Sequence, residues 1–176
     1  KFNGRKTSQL RVSEKEIKEA QSKISNQERE AIQVMRNTLS WQESEYLKIL
    51  PSYKYNERDD YIRTAKSFTP IPSVGCYIPG GQARYPSSAV MSVTPAKIAG
   101  VKRIVVVSPP GRDGKIDPLT IAAAKMCGAT EIYKVGGAQA IGALAHGTKS
   151  IPKVDKIVGP GGKFVSIAKS LVSDQT

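Results

Sequence analysis

From Val74 onward the chain alternates short apolar runs with longer stretches of helical pattern, and each apolar run breaks into a corner of proline and glycine. The corners read CYIPGG (76–81), VSPPG (107–111), VGGAQA (135–140) and VGPGG (158–162). Their apolar runs predict strands over 74–78, 103–108, 131–135 and 155–159, and the intervening stretches predict helices over 87–99, 117–127, 138–146 and 163–172. RIVVVS (103–108) is an unbroken, largely β-branched run, as suits a strand covered on both faces. Three of the helices run into a glycine, Gly100, Gly128 and Gly147, a residue that takes the left-handed conformation closing a helix at little steric cost. Strand and helix repeating every 25 to 30 residues, roughly, imply right-handed crossovers and a parallel sheet. The expected fold is α/β, a Rossmann-like parallel sheet of βα repeats preceded by an N-terminal helical arm.

The arm is charged and amphipathic. In VSEKEIKEAQSKI, Ser13 and Glu16 have capping-box spacing, and Ile17, Ala20 and Ile24 recur on one face. A second helix is expected from Asn26 or Gln27 to Leu50, with Ile32, Met35 and Leu39 on its buried side. Residues 51–72 have no clear period and read as an extended polar connection. Composition therefore divides the chain at about residue 73, into an arm and connection (1–72) and a nucleotide-type domain (73–162). Two helices have no core of their own, so the arm must rest on another layer.

Hydrophobic residues at 39% and charged residues at 24% are ordinary for a globular chain. No stretch approaches eighteen uninterrupted apolar residues, so no membrane span is expected. The opening KFNGRKTSQLRVSEKE lacks the apolar centre of a secretory signal. Cys76 and Cys127 are too few for a disulfide framework or a thiolate metal site, and read as reduced, buried small hydrophobes. Together these features point to a cytoplasmic protein. The formal charge of +12 invites nucleic acid as a partner, but Lys and Arg are scattered, without a run of five and without an aromatic stripe for stacking bases. No nucleic-acid partner is expected. A basic surface around an anionic ligand explains the charge as well.

In a parallel sheet the carboxyl ends of all strands lie along one edge, where ligands bind. All four Pro/Gly corners fall on that edge. Glycine lets a ligand approach bare backbone N–H groups, and the helix behind it favours negative charge. A tight turn alone accounts for any one such corner; four on one edge favour a phosphate-bearing ligand. The fingerprint G-x-G-x-x-G is absent, since VGGAQA and GPGGKF fail its spacing. From the residues alone the reading stops at an anionic, nucleotide-like ligand.

The segments VGCYIPGGQARYPSSAVMSVTPAKIAGVKRIVVVSPP, KVGGAQAIGALAHGTKSIPKVDKIVGPGG and VSIAKSLV closely resemble the histidinol dehydrogenase family, over about residues 73–172 and more weakly through RVSEKEIKEA. The resemblance implies oxidation of L-histidinol to L-histidine through histidinal with two NAD, in a zinc-dependent homodimer. It implies NAD contacts at Tyr77, at Gln139 and at the residue after GPG, which the family fills with asparagine and this chain with Gly162. Gly80, Gly81, Gly136, Gly137 and Gly161 complete the expected rim. The family's zinc ligands and Glu–His acid/base pair lie downstream of these motifs, so no catalytic or metal residue is assigned in this chain. His146, the single histidine, reads as a helix cap or surface group, and Asp113 and Asp117 as loop carboxylates. The expected picture is an N-terminal portion of the enzyme, with the arm belonging to a larger domain and 163–176 returning to it. Two alternatives stand beside it: a paralogous zinc- and NAD-dependent dehydrogenase of another small polar alcohol, and a non-catalytic nucleotide-binding fragment.

Overall fold

In the computed structural model, which describes residues 9–50, 53–56, 63–80 and 83–176, all four expected strands join one parallel sheet. The helices and strands, in chain order, are α1 (Glu14–Lys23), α2 (Asn26–Lys48), β1 (Tyr53–Asn56), β2 (Arg63–Lys66), β3 (Ser73–Tyr77), α3 (Pro86–Ile98), β4 (Arg103–Ser108), α4 (Pro118–Cys127), β5 (Glu131–Lys134), α5 (Gly137–His146), β6 (Lys156–Val158) and α6 (Lys163–Leu171). The sheet order is β5-β4-β3-β6. The chain moves outward from β3 to β4 to β5, then returns past both to place β6 on the far side of β3. Right-handed crossovers in opposite directions put helices on opposite faces, so α3 and α4 cover one side and α5 the other.

Side-chain alternation matches this division. Val74, Cys76, Ile78, Ile104, Val106 and Ile132 pack toward α3 and α4, while Tyr77, Val105, Val107 and Tyr133 pack toward α5. Both thiols are free and buried, and burial pushes the Cys76 thiol up to about 12, leaving it a neutral apolar filler. Helix α4 is apolar all round, with Leu119 through Ala124 buried, because it lies between the sheet and the arm.

The arm rests on α3 and α4, and packing is continuous across residue 73. Ile17, Ala20, Ile24 and Ile32 share one apolar cluster with the strands. Ser13 caps α1 as expected: its hydroxyl accepts from the Glu16 N–H at 3.2 Å, and its own N–H donates to Glu16 Oε2 at 2.9 Å. Ser25 and Glu28 form a second capping box on α2, present in the sequence as SNQE and not read there. Residues 10–12 run antiparallel beside β5, through Val12 N to Ile132 O and Lys134 N to Leu10 O, both 2.8 Å, and so cover that strand's outer edge.

One expectation fails. Met35 is 40% exposed, not buried, because the side of α2 facing the body carries Ile32 and Arg36, whose Nη1 donates to Met126 O. The extended connection 51–72 carries one detail not read from the sequence: β1 and β2 pair antiparallel, with Tyr53 opposite Lys66. A four-residue alternation was too short to register as a period.

One ion pair ties the arm to the sheet. The Lys134 side chain is 8% exposed and donates from Nζ to Glu16 Oε1 at 2.8 Å. Burial raises the Glu16 pKa, but Lys134 and the Ser13 N–H and hydroxyl outweigh it and hold the carboxyl below its ordinary value. A carboxyl whose proton affinity falls on folding stabilises the fold above its unfolded pKa of about 4.3, and the contribution disappears as pH drops through the lower folded value. Glu16→Gln keeps the capping geometry and leaves Lys134 buried without a counter-charge. It should cost about 3 kcal/mol at neutral pH, and urea titrations over a pH series should show a shallower acid decline than the parent chain.

Candidate functional site

Four βα corners line the carboxyl edge, and they touch one another. Gly159, at φ +104°, turns the chain out of β6 so tightly that any side chain there would run into the Tyr77 carbonyl oxygen. This seats the β6 corner on the end of β3. Tyr77 extends under the rim, where its hydroxyl accepts from the Gly137 N–H at 3.1 Å, which links β3 to the start of α5. Gly136 lies against the ring of Pro109, with no room for a Cβ, which joins the β5 and β4 corners. Gly80 faces the Ser108 hydroxyl and the Pro109 carbonyl, which closes the circuit.

The strand order puts the topological switch between β3 and β6, the place where open parallel sheets form a ligand crevice. The helix starts on the edge differ in electrostatics. Helix α4 is capped by Asp117, whose Oδ2 accepts from Thr120 N at 2.9 Å, so its N-terminus already holds a negative charge. Helices α5 and α6 have glycine N-caps, Gly136 and Gly162, with no side-chain cap. Their first-turn N–H groups are those a helix leaves without i−4 partners; of these, Gly137 N donates to the Tyr77 hydroxyl and Val165 N to the Gly162 carbonyl. Helix α3 also starts without a side-chain cap, at Tyr85, but its first residue is Pro86, which has no N–H, so an anion is favoured over α5 and α6 rather than over α4.

The expected site residues divide by exposure. Tyr77 is 5% exposed, with its ring in the core beneath α5, so it holds the rim from below. Gln139 is exposed on the first turn of α5. Gly80 and Gly161 are half-buried at their corners, Gly161 with its Cα against Val165, and Gly136 is buried. Gly162 is exposed, and a side chain there would meet nothing within 4 Å. Gly81 lies outside the described residues.

A cleft of about 370 Å³ between the β3 and β4 corners was not foreseen; Gly80, Arg84, Ser108, Lys115 and Asp117 are among its lining residues. Arg84 spans it, with Nε 3.0 Å from Asp117 Oδ1 and Nη2 3.4 Å from Glu28 Oε1. The sequence signal was the Asp-Pro pair at 117–118, a helix-start signature. Its carboxylate is committed to that cap, and Asp113 Oδ1 accepts from Lys115 N at 3.0 Å. His146 is exposed at the end of α5. Among the described residues no three His, Cys, Asp or Glu side chains gather as a metal shell would require.

Gly162 has ordinary extended backbone, φ −69° and ψ 178°, at an N-cap without a capping side chain. Gly162→Asn should therefore stabilise the chain by a few tenths of a kcal/mol, read as a raised urea midpoint. Gly159→Ala combines a positive φ with a backbone clash and should cost more than about 1 kcal/mol. A neutral Gly159→Ala would show that the β6 corner is not seated on Tyr77.

Comparison with known proteins covers the whole chain. The profile of the histidinol dehydrogenase family matches residues 1–176. Histidinol dehydrogenase of Bacillus cereus is 48% identical over 170 residues, 96% of this chain and 38% of that protein. The Methanothermobacter thermautotrophicus enzyme of the same name is 46% identical over 172 residues, 98% of this chain and 40% of its own length. The crystal structure of histidinol dehydrogenase from Elizabethkingia anophelis superposes with a TM-score of 0.86 at 35% identity, covering 95% of this chain and 38% of that one. The chain thus spans about two fifths of the length of these relatives.

Proposed function

The chain belongs to the histidinol dehydrogenase family, and from that premise we propose that its carboxyl-edge rim is one wall of an NAD site in an enzyme oxidising L-histidinol to L-histidine. The observation that carries this reading is that the helices after β5 and β6, α5 and α6, both start at glycine N-caps without a side-chain cap, the α5 start being tied to the end of β3 through Tyr77. They offer backbone N–H groups to a pyrophosphate. Gln139, exposed one turn into α5, offers an amide that both donates and accepts. The open space at Gly162 admits a ligand edge or a side-chain amide equally. Tyr77 fixes the height of the Gly137 N–H. NAD, when bound, supplies the hydride acceptor.

The described residues offer no ligand set that fits zinc. The reading assigns the zinc ligands and the acid/base pair to the part of the relatives beyond this chain, with residues 73–162 as the nucleotide domain and 163–176 leading back to the rest. It carries with it a cytoplasmic homodimer. The second reading, a dehydrogenase of another small polar alcohol, is favoured by one observation, the glycine at 162 where the family has asparagine. Turnover of histidinol by the full-length enzyme, with NAD in excess, separates the two.

In the full-length enzyme Gln139→Ala should weaken NAD by one hydrogen bond, about 0.5 to 1.5 kcal/mol or roughly 2- to 13-fold in Kd by titration calorimetry. An unchanged Kd removes Gln139 from the site. The isolated 176-residue chain should hold no stoichiometric zinc after dialysis and should not oxidise histidinol. One tightly held zinc per chain, by elemental analysis, would show the active site to be misplaced.

A further inference from the structure

The Gly159 carbonyl is left without a backbone donor by the turn that seats this corner on Tyr77. No N–H of the described residues reaches it. Its partner is Lys169, two turns along α6, whose side chain runs back toward the helix start and donates from Nζ at 2.5 Å. This lysine is half-buried, and no carboxylate of the described residues lies within ion-pair distance of it. Burial lowers its pKa, with the Cys76 thiol nearby acting weakly the other way. A half-buried ammonium without a counter-charge costs the fold something, and what it provides in return is a strut from the body of α6 to the end of β6. Between the ends of that strut lie Pro160, Gly161 and Gly162, so the strut sets how far the α6 start stands above the sheet.

We propose that Lys169 is a positioning residue for the ligand site at the β3–β6 switch point, holding the 159–162 corner and the uncapped start of α6 at the height where they meet the dinucleotide. The proposal rests on the NAD reading for its ligand but not for its geometry. Lys169 touches no reacting atom and takes no part in catalysis. Its loss loosens the corner, which weakens ligand binding and leaves turnover at saturating ligand in place.

The test uses the full-length enzyme with Lys169→Met, which keeps the stem and removes the donor, and Lys169→Arg, which restores a cationic donor. Hydrogen exchange without ligand should quicken several-fold at the Gly161–Phe164 amides in the Met variant, with Val105–Val107 unchanged. The Arg variant should recover most of that protection. With NAD, the Met variant should show a KM raised about 3- to 10-fold at nearly unchanged kcat. Uniformly faster exchange across the sheet would mean a global structural role and overturn the proposal, as would parent-like exchange at 161–164. If the parent enzyme fails to bind NAD, the functional reading falls, and the exchange experiment still decides the strut.

Discussion

The contact of Gly159 with the end of β3 is the constraint on which the site depends. Parallel strands deliver their corners to one edge, but registry alone leaves them about 4.8 Å apart per strand, as separate loops. They become one surface because bare glycine backbone meets its neighbours directly: Gly159 on the Tyr77 carbonyl, Gly136 on the Pro109 ring. Tyr77 then spans the sheet to Gly137. A Cβ at either glycine would push neighbouring corners apart.

The opposite edge shows what the chain does where no ligand is served. There several polar groups are paired within the chain. Arg103 donates to Glu131 at 2.8 Å and to the carbonyls of Lys153 and Pro152, while the Tyr133 hydroxyl donates to Glu131 at 2.6 Å. Burial and this acceptor push the Tyr133 hydroxyl up to about 12, so it stays a donor throughout. Ser73 and Asp155 join the starts of β3 and β6 at 2.6 Å. With the amino edge bound in this way, strand positions are fixed from behind, and the carboxyl edge can leave helix starts uncapped without losing registry.

The architecture was legible because each of its signals is local and repeated. Apolar runs, glycine stops at Gly100, Gly128 and Gly147 with positive φ, and the Ser13 capping box each name one element. What stayed hidden was set at a distance. Met35 looked buried by period, but only contact with α3 and α4 decides which face of α2 is covered. The resemblance alone names Tyr77 as a cofactor contact. Its ring is in the core because β3 turns odd positions toward α5, and an isolated sequence does not say which face a strand residue takes. The Arg84 bridge joins residues 28, 84 and 117, three separate elements. The circuit of corners was legible only in part: glycine marked where backbone is bare, and the structure supplied what it is bare against.

That distinction sorts the rim glycines by cause. At Gly136, Gly159 and Gly161 a side chain would strike Pro109, Tyr77 or Val165, so the chain's own packing accounts for glycine, with or without a ligand. They are evidence for the shape of the edge and only indirectly for what binds it. Gly162 is different. Its backbone is one any residue adopts, its surroundings are open, and it stands at an N-cap where asparagine, aspartate or serine is favoured over glycine. Neither conformation nor packing within the described residues calls for glycine there. Among Gly136, Gly159, Gly161 and Gly162, it is thus the one that internal packing among the described residues leaves unexplained, and the open side of the α6 start is where a further partner would meet it.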